Sequence, residues 1–256
     1  MHPYLFEIFG YRQSTYGVLV AAGFLLALAV TGHLAKRRGA DPETITNLGM
    51  YCAIAGYVGA KLNMILFDLD AYRKDPGELF SLATLQAAGV FYGGLLLALA
   101  FAFWYMRRKQ LPPLATADLF APGLALGHAV GRLGCFAAGC CWGTRCDRPW
   151  AVTFTDPEAH NLVGVPLHVP LHPSQLYEAS AELVWFGFLY WRIGRPHAPG
   201  VILSYYLALY GLTRFVVDFF RTQYQQSLFP FTNAQWISLF LIALAAAHGW
   251  RVRRRA

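Results

Sequence analysis

Charge is what this sequence has least of. Asp, Glu, Lys and Arg make up 14% of the 256 residues, against 56% hydrophobic residues. A chain so poor in charge cannot give a soluble domain of this size its usual polar surface. Acidic residues are the scarcer sign, 14 against 21 basic, for a formal charge of +7. That excess does not describe a nucleic-acid-binding face, because the basic residues cluster at the ends of apolar runs instead of lining one surface. The five cysteines contain no C-x-x-C pair, which removes the common zinc-ribbon and dithiol motifs. No internal repeat, low-complexity tract or heptad pattern occurs, which excludes solenoids and coiled coils. No basic n-region and small-residue cleavage site accompany the first apolar run, so it is expected to stay as a helix.

What is present is seven apolar runs: 16–35, 46–67, 87–106, 118–138, 176–191, 200–220 and 234–248. A spanning helix needs about 20 residues, fewer where protein shields it. The runs predict an all-α integral membrane protein with seven transmembrane helices, a single transmembrane domain over 1–256. Twelve of the 21 Lys and Arg residues fall at Lys36–Arg38, Arg107–Lys109, Arg192, Arg195 and the arginine tail. The positive-inside rule then places the N-terminus outside and the C-terminus in the cytoplasm. Segment 139–173 is left as a small extracytoplasmic cap between the fourth and fifth helices. Pro149, Pro157, Pro166, Pro170 and Pro173 favour short strands and turns there over a long helix.

Charges inside the runs carry the functional signal. Arg132 and Arg214 interrupt apolar stretches long enough to span a bilayer. Each costs at least about 2.5–3.5 kcal/mol at mid-membrane on insertion scales, so such a residue faces a partner, a watery cavity or a ligand. Two cations aimed at one cavity predict an anionic ligand, and the abundant anion in a membrane is a lipid phosphate. Arginine's planar fork suits phosphate oxygens. In the fourth run His128, Arg132 and Cys135 share a helical face at i, i+4 and i+7. Gly123, Gly127, Gly131 and Gly134 there suit close helix packing or a ligand beside the backbone. In the sixth run Tyr210, Arg214, Asp218 and Arg221 form a second stripe. An internal ion-pair ladder accounts for part of it, but two arginines for one aspartate leave a surplus cation.

Cys135, Cys140, Cys141 and Cys146 fall within twelve residues, with Cys52 apart. Adjacent cysteines rarely serve one tetrahedral site, so no metal is expected. A Cys140 or Cys141 bridge to Cys146, a catalytic thiol, or simple packing remain as readings. Entering the fifth run, His172, Ser174, Gln175, Tyr177 and Glu178 bring polar groups to membrane depth. Ser174 suits a helix cap, and the others suit a polar wall. Tyr92, before Gly93-Gly94, puts a phenol in the third run.

GRLGCFAAGCCWG, HPSQLYEA and YGLTRFVVDFFR, with STYG, GAKLNMILFDLDAYRKDPGELF and VFYGGLL before them, resemble the prolipoprotein diacylglyceryl transferase family from about Tyr16 to Arg221. The resemblance implies a seven-span enzyme of the bacterial inner membrane. Such an enzyme moves the diacylglyceryl group of phosphatidylglycerol onto the lipobox cysteine thiol of a prolipoprotein signal peptide, releasing glycerol phosphate. It implies no cofactor, and membrane lipids and the signal peptide as partners, not nucleic acid. The family's phosphate-handling arginines match Arg132 and Arg214, its substrate-site tyrosines Tyr16 and Tyr210, and its second-helix basic residue Lys61. Three positions depart from the pattern: the third-span His reads Tyr92, an Asn reads Cys135, and a Glu reads Cys140. The donor site is thus retained, while the base that takes the thiol proton is left among Tyr92, His128 and His172. Competing readings are transfer to another thiol or small molecule, and a lipid-binding or transport protein without chemistry. Matching halves with broken helices, the mark of many secondary transporters, are absent.

Overall fold

The computed structural model describes residues 2–8, 11–75, 77, 84, 89–221, 227–228 and 231–254. In chain order the elements are β1 (Tyr4–Ile8), β2 (Tyr11–Ser14), α1 (Thr15–Arg37), α2 (Pro42–Phe67), α3 (Leu69–Lys74) and α4 (Phe91–Arg108). They continue with α5 (Pro113–Ala138), β3 (Val152–Thr153), α6 (Pro157–Val163), β4 (Pro170–Leu171) and α7 (Ser174–Ile193). The last are α8 (Val201–Asp218), β5 (Ser227–Leu228), β6 (Phe231–Thr232) and α9 (Asn233–Arg253). Each of the seven apolar runs forms a helix of 18 to 26 residues. Four of them, α1, α2, α5 and α8, are long and apolar enough to cross a membrane. Terminal arginines in α4 and α9, and two glutamates in α7, lower the apolarity of the other three.

The chain divides into two compact units, 1–34 with 117–256, and 35–116. In the first, α9 packs along α8 and α7 packs on α8. The small residues of α5 meet α1 closely: a Cβ on Gly123 would lie 2.6 Å from the Ala27 carbonyl oxygen. Packing therefore explains Gly123. Gly131, in contrast, has nothing within 4 Å of that position. The buried Asp118 carboxylate accepts from the backbone N–H groups of Gly200 (2.7 Å) and Leu203 (2.8 Å), satisfying orphan donors at the start of α8.

The segment between α5 and α7, called the cap, forms a small folded layer of its own. β3 and β4 pair antiparallel, Val152 opposite Leu171, over a core of Phe154, Ala159, Val165 and Leu171. The seven-residue α6 goes beyond the strands and turns expected there. Asp156 caps it, its side chain accepting from the Glu158 and Ala159 N–H groups, and Pro157 occupies the first helical position. Proline there starts a helix, because its missing N–H would have no partner. The hairpin of β1 and β2 is a further addition to the expected helices; Arg12 in it pairs with Glu158 of the cap.

The second unit is built on the α2–α4 pair. A Cβ on Gly93 would sit 2.3 Å from the Asn63 Cβ, so only glycine permits this approach. Asp41 caps α2, accepting from the Thr44 N–H at 3.0 Å and the Thr44 hydroxyl at 2.5 Å. Those bonds, the hydroxyl's first, hold its carboxyl below the usual range.

Candidate active site

Glu178, in the first turns of α7, is the hub of the first unit's charged groups. It is buried, as are Glu182 and Asp218, while the arginines around it are part-buried. Arg214 Nη1 of α8 donates to its Oε1 at 2.8 Å, and Arg132 Nε of α5 lies 2.5 Å from its Oε2. Arg221 Nη1 approaches Oε1 at 3.8 Å. Arg214 also donates through Nη2 to Asp218 Oδ1 at 2.8 Å, and Asp218 Oδ2 accepts from the Thr232 hydroxyl. The two arginines singled out from sequence thus meet on one carboxylate. The internal ladder from Arg214 to Asp218 is real as well. Three guanidiniums share Glu178 and Asp218, while the third carboxylate, Glu182, stands apart from them beside His128. Ion pairs this deep need most of their lone pairs and protons engaged to offset desolvation.

His128 lies one turn before Arg132 on α5. The Arg132 Nε–H points at His128 Nε2, 3.2 Å away; its contact with Glu178 is therefore electrostatic, without hydrogen-bond alignment. A ring nitrogen that accepts from a guanidinium carries a lone pair, so Nδ1 carries the proton. Nδ1 faces Glu182 Oε1 at 3.6 Å. Glu182 is fully buried on α7, and among the described residues neither of its oxygens has a hydrogen-bond partner. Tyr210 of α8 packs its ring 5.4 Å from the His128 ring and stacks on Tyr206.

The cysteine-rich turn follows α5 directly. The Sγ atoms of Cys135, Cys140 and Cys141 all lie within 4.8 Å of one another. Gly139 and Cys141 both have positive φ, +75° and +63°, which breaks the alternation of an extended chain. Positive φ is strained for a side-chain-bearing residue, and such strain persists only where surroundings enforce it. The start of α7 does so. The Ser174 hydroxyl donates to the Cys141 carbonyl and the Gln175 amide to the Cys140 carbonyl, each at 2.7 Å. Ser174 and Gln175 are thus clamps on the turn; no side-chain bond caps the N-terminus of α7. Hydrogen bonds from Cys135 and Cys140, with Arg221 and Arg132 nearby, hold the Cys141 thiol below its ordinary range. Cys140 is pushed up by its bonds to Cys135 and Cys141. All five cysteines are free. Of the readings left open, the bridge to Cys146 is not the one seen: its thiol is free and buried in the cap, its N–H bonded to the Pro170 carbonyl.

His172 and Tyr177 form a second polar group. His172 Nδ1 and the Tyr177 hydroxyl are 3.0 Å apart, and Trp150 Nε1 donates to that hydroxyl at 2.9 Å. The His172 ring packs 5.1 Å from Phe220. Tyr16, at the start of α1, borders Gly134 and lies in the field of Arg132 and the three clustered thiols. Lys61 and Tyr92 belong to the second unit. Lys61 Nζ donates to the Thr84 carbonyl at 2.5 Å and lies over the Tyr57 ring. Tyr92, in the first turn of α4, is 58% exposed with its ring edge-on to Phe91. Glu182 and Thr232 are site residues that the sequence motifs do not single out. Glu182 does carry a signal: with Glu178 it forms an i, i+4 carboxylate pair inside an apolar run, on one helical face.

Comparison with known proteins bears on this geometry. The family model described as Prolipoprotein diacylglyceryl transferase matches residues 3–251. A phosphatidylglycerol–prolipoprotein diacylglyceryl transferase from Ruegeria pomeroyi is 36% identical, over 95% of this chain and 92% of its own. One from Clostridium tetani is 32% identical over 95% of each chain. One from Vibrio cholerae is 34% identical over 86% of this chain and 78% of its own.

Proposed function

The chain belongs to the prolipoprotein diacylglyceryl transferase family, and we propose that it transfers the diacylglyceryl group of phosphatidylglycerol to the lipobox cysteine of prolipoproteins. The observation that carries this reading is the meeting of Arg132 and Arg214 on Glu178, with Arg221 as a third cation beside it. In the resting cluster these three cations have only Glu178 and Asp218 within direct reach. A lipid phosphodiester offers them further anionic oxygens, and each guanidinium presents a fork matched to two of these.

The chemistry follows from the arrangement. The acceptor sulfur attacks the glyceryl carbon, the carbon–oxygen bond to phosphorus breaks, and the electron pair leaves with glycerol phosphate. Charge builds on the phosphate oxygens, where prepositioned guanidiniums in a dry site stabilise it more than water does. Arg132 couples this to proton transfer. When phosphate takes its Nε–H, His128 Nε2 loses the donor it holds at 3.2 Å and its lone pair becomes available to the thiol proton. Glu182 behind Nδ1 supports the imidazolium that forms. His128 thereby serves where Tyr92 replaces the histidine expected from the resemblance. Tyr16, Tyr210 and Tyr177 complete the substrate site of the first unit in this reading, and Lys61 keeps its substrate role on the resemblance alone.

Seven spans, with the N-terminus and the 139–173 cap outside and the arginine tail in the cytoplasm of a bacterial inner membrane, accord with the charge bias of the loops. Reporter fusions at the tail test this, and an external tail overturns it. For the reaction, purified protein is incubated with phosphatidylglycerol and a lipobox peptide and followed by mass spectrometry. A peptide gaining one diacylglyceryl group is expected. Phosphatidylglycerol bound without transfer favours a lipid-binding protein, and transfer to another thiol favours a different acceptor.

A further inference from the structure

We propose that Cys135, Cys140 and Cys141 form a three-thiolate zinc site whose open fourth position takes the acceptor thiol. The proposal rests on the transferase reading for its role, but not for its existence.

Three soft sulfur donors converge without a disulfide among them. Thiolates select thiophilic cations, and catalytic zinc is held by three protein ligands with the fourth position left to water or substrate. Zinc–sulfur bonds of about 2.3 Å set tetrahedral sulfurs roughly 3.8 Å apart. The present separations, at most 4.8 Å, are within about 1 Å of that. No fourth Cys, His or carboxylate joins the three among the described residues, so the site is open, not structural.

The surroundings suit such a centre. The left-handed backbone at Cys141 turns neighbouring thiols to one side, and the hydrogen bonds from Ser174 and Gln175 hold the turn. Gln175 is almost wholly buried and its Oε1 has no partner among the described residues. It offers an acceptor beside the turn for a zinc-bound water, the outer-shell bond that metal sites use. Zinc with three thiolates carries one negative charge, and two once a substrate thiolate adds. Arg132 and Arg221 stand close enough to act electrostatically on Cys141 and offset that charge.

The reaction needs an activated sulfur. Coordination deprotonates a thiol outright, and the family pattern is broken here at the positions of Cys135, Cys140 and Tyr92. The step balances without redox chemistry. The acceptor S–H gives its proton, through His128, to the departing glycerol phosphate. The zinc-bound sulfur forms the new C–S bond as the C–O bond breaks. The thioether product is a weak ligand and leaves, and zinc keeps its three protein thiolates.

The full-length protein, reduced and purified in detergent, is titrated with zinc in competition with a chromophoric chelator, and with cobalt as the optical probe. One ion per chain with thiolate-to-cobalt charge-transfer absorption is expected. Cys135→Ser, Cys140→Ser and Cys141→Ser each weaken zinc binding by roughly 100-fold or more, while Cys52→Ser binds as the unaltered protein does. A lipobox peptide shifts the cobalt spectrum, and its Cys→Ser version does not. No zinc binding, or binding unchanged in the three variants, overturns the proposal. Peptide lipidation that survives chelation undiminished overturns the role of the site even if zinc binds. Zinc bound by the three thiols in a protein that transfers no diacylglyceryl group upholds the site and overturns the transferase reading instead.

Discussion

The two units handle the same apolar composition in opposite ways. In 35–116 the α2–α4 pair packs through glycine, and its arginines gather at the helix end as Arg107 and Arg108. In 1–34 with 117–256, α5, α7 and α8 carry Arg132, Glu178, Glu182, Arg214 and Asp218 inward, all at least largely buried. A bilayer protein held together by packing alone needs nothing of the second kind. Buried charges oppose stability unless fully paired, so their concentration in the first unit supports placing the proposed chemistry there, and their scarcity among the described residues of the other suits packing.

That contrast is broken most sharply at the arginines. Arg132→Lys and Arg214→Lys are expected to lower transfer by roughly 10²–10³-fold, since a point charge cannot reproduce the bidentate fork. Peptide lipidation measured by mass spectrometry checks this, and full activity in either variant removes that arginine from the donor site. His128→Gln comes next, with a loss of about 10²-fold or more in kcat while phosphatidylglycerol still binds. Glu182→Gln should follow it in direction with a smaller loss, as a group acting through His128.

The remaining variants probe the scaffold unit. Gly93→Ala forces a methyl into Asn63 and is expected to destabilise by about 1–3 kcal/mol, seen as a lower melting temperature in detergent. Tyr92→Phe removes one oxygen from an exposed ring, and transfer is expected to stay within about twofold, well short of the loss that removing a general base brings. A large loss instead would move the base to the second unit and undo the contrast. The smallest effect is Asp41→Ala. Because the folded carboxyl titrates below its unfolded value, its contribution is present at neutral pH and disappears as pH falls through that lowered value. The variant's melting temperature should therefore approach that of the unaltered protein in acid.

Much of this architecture is legible in the residues themselves. The seven helices follow from the apolar runs because a helix that satisfies its own backbone is the one local solution open to so little polar surface. The importance of Arg132 and Arg214 follows from the penalty on charge at that depth. The cap's β3–β4 pair is readable from its alternation and prolines, whereas α6 is hidden because Pro157 reads equally as a breaker and as a first helical residue. Glu182 is visible as a carboxylate in an apolar run, but no oppositely charged partner lies near it in sequence to give it a role.

Sequence by itself thus determined the helices, the family and the identity of the buried charges, all of which depend on composition and spacing along one chain. Tertiary structure alone decided that three arginines converge on Glu178, that Glu182 stands behind His128, and that Cys135, Cys140 and Cys141 share one point in space. The physical reason is range. Helix formation and membrane insertion are settled within about 20 residues. The pairing of Arg132 with Glu178, or of Ser174 with the Cys141 carbonyl, joins residues more than thirty positions apart. Which of many buried groups meet is set by how whole helices pack and by a left-handed turn at Cys141 that no spacing rule encodes.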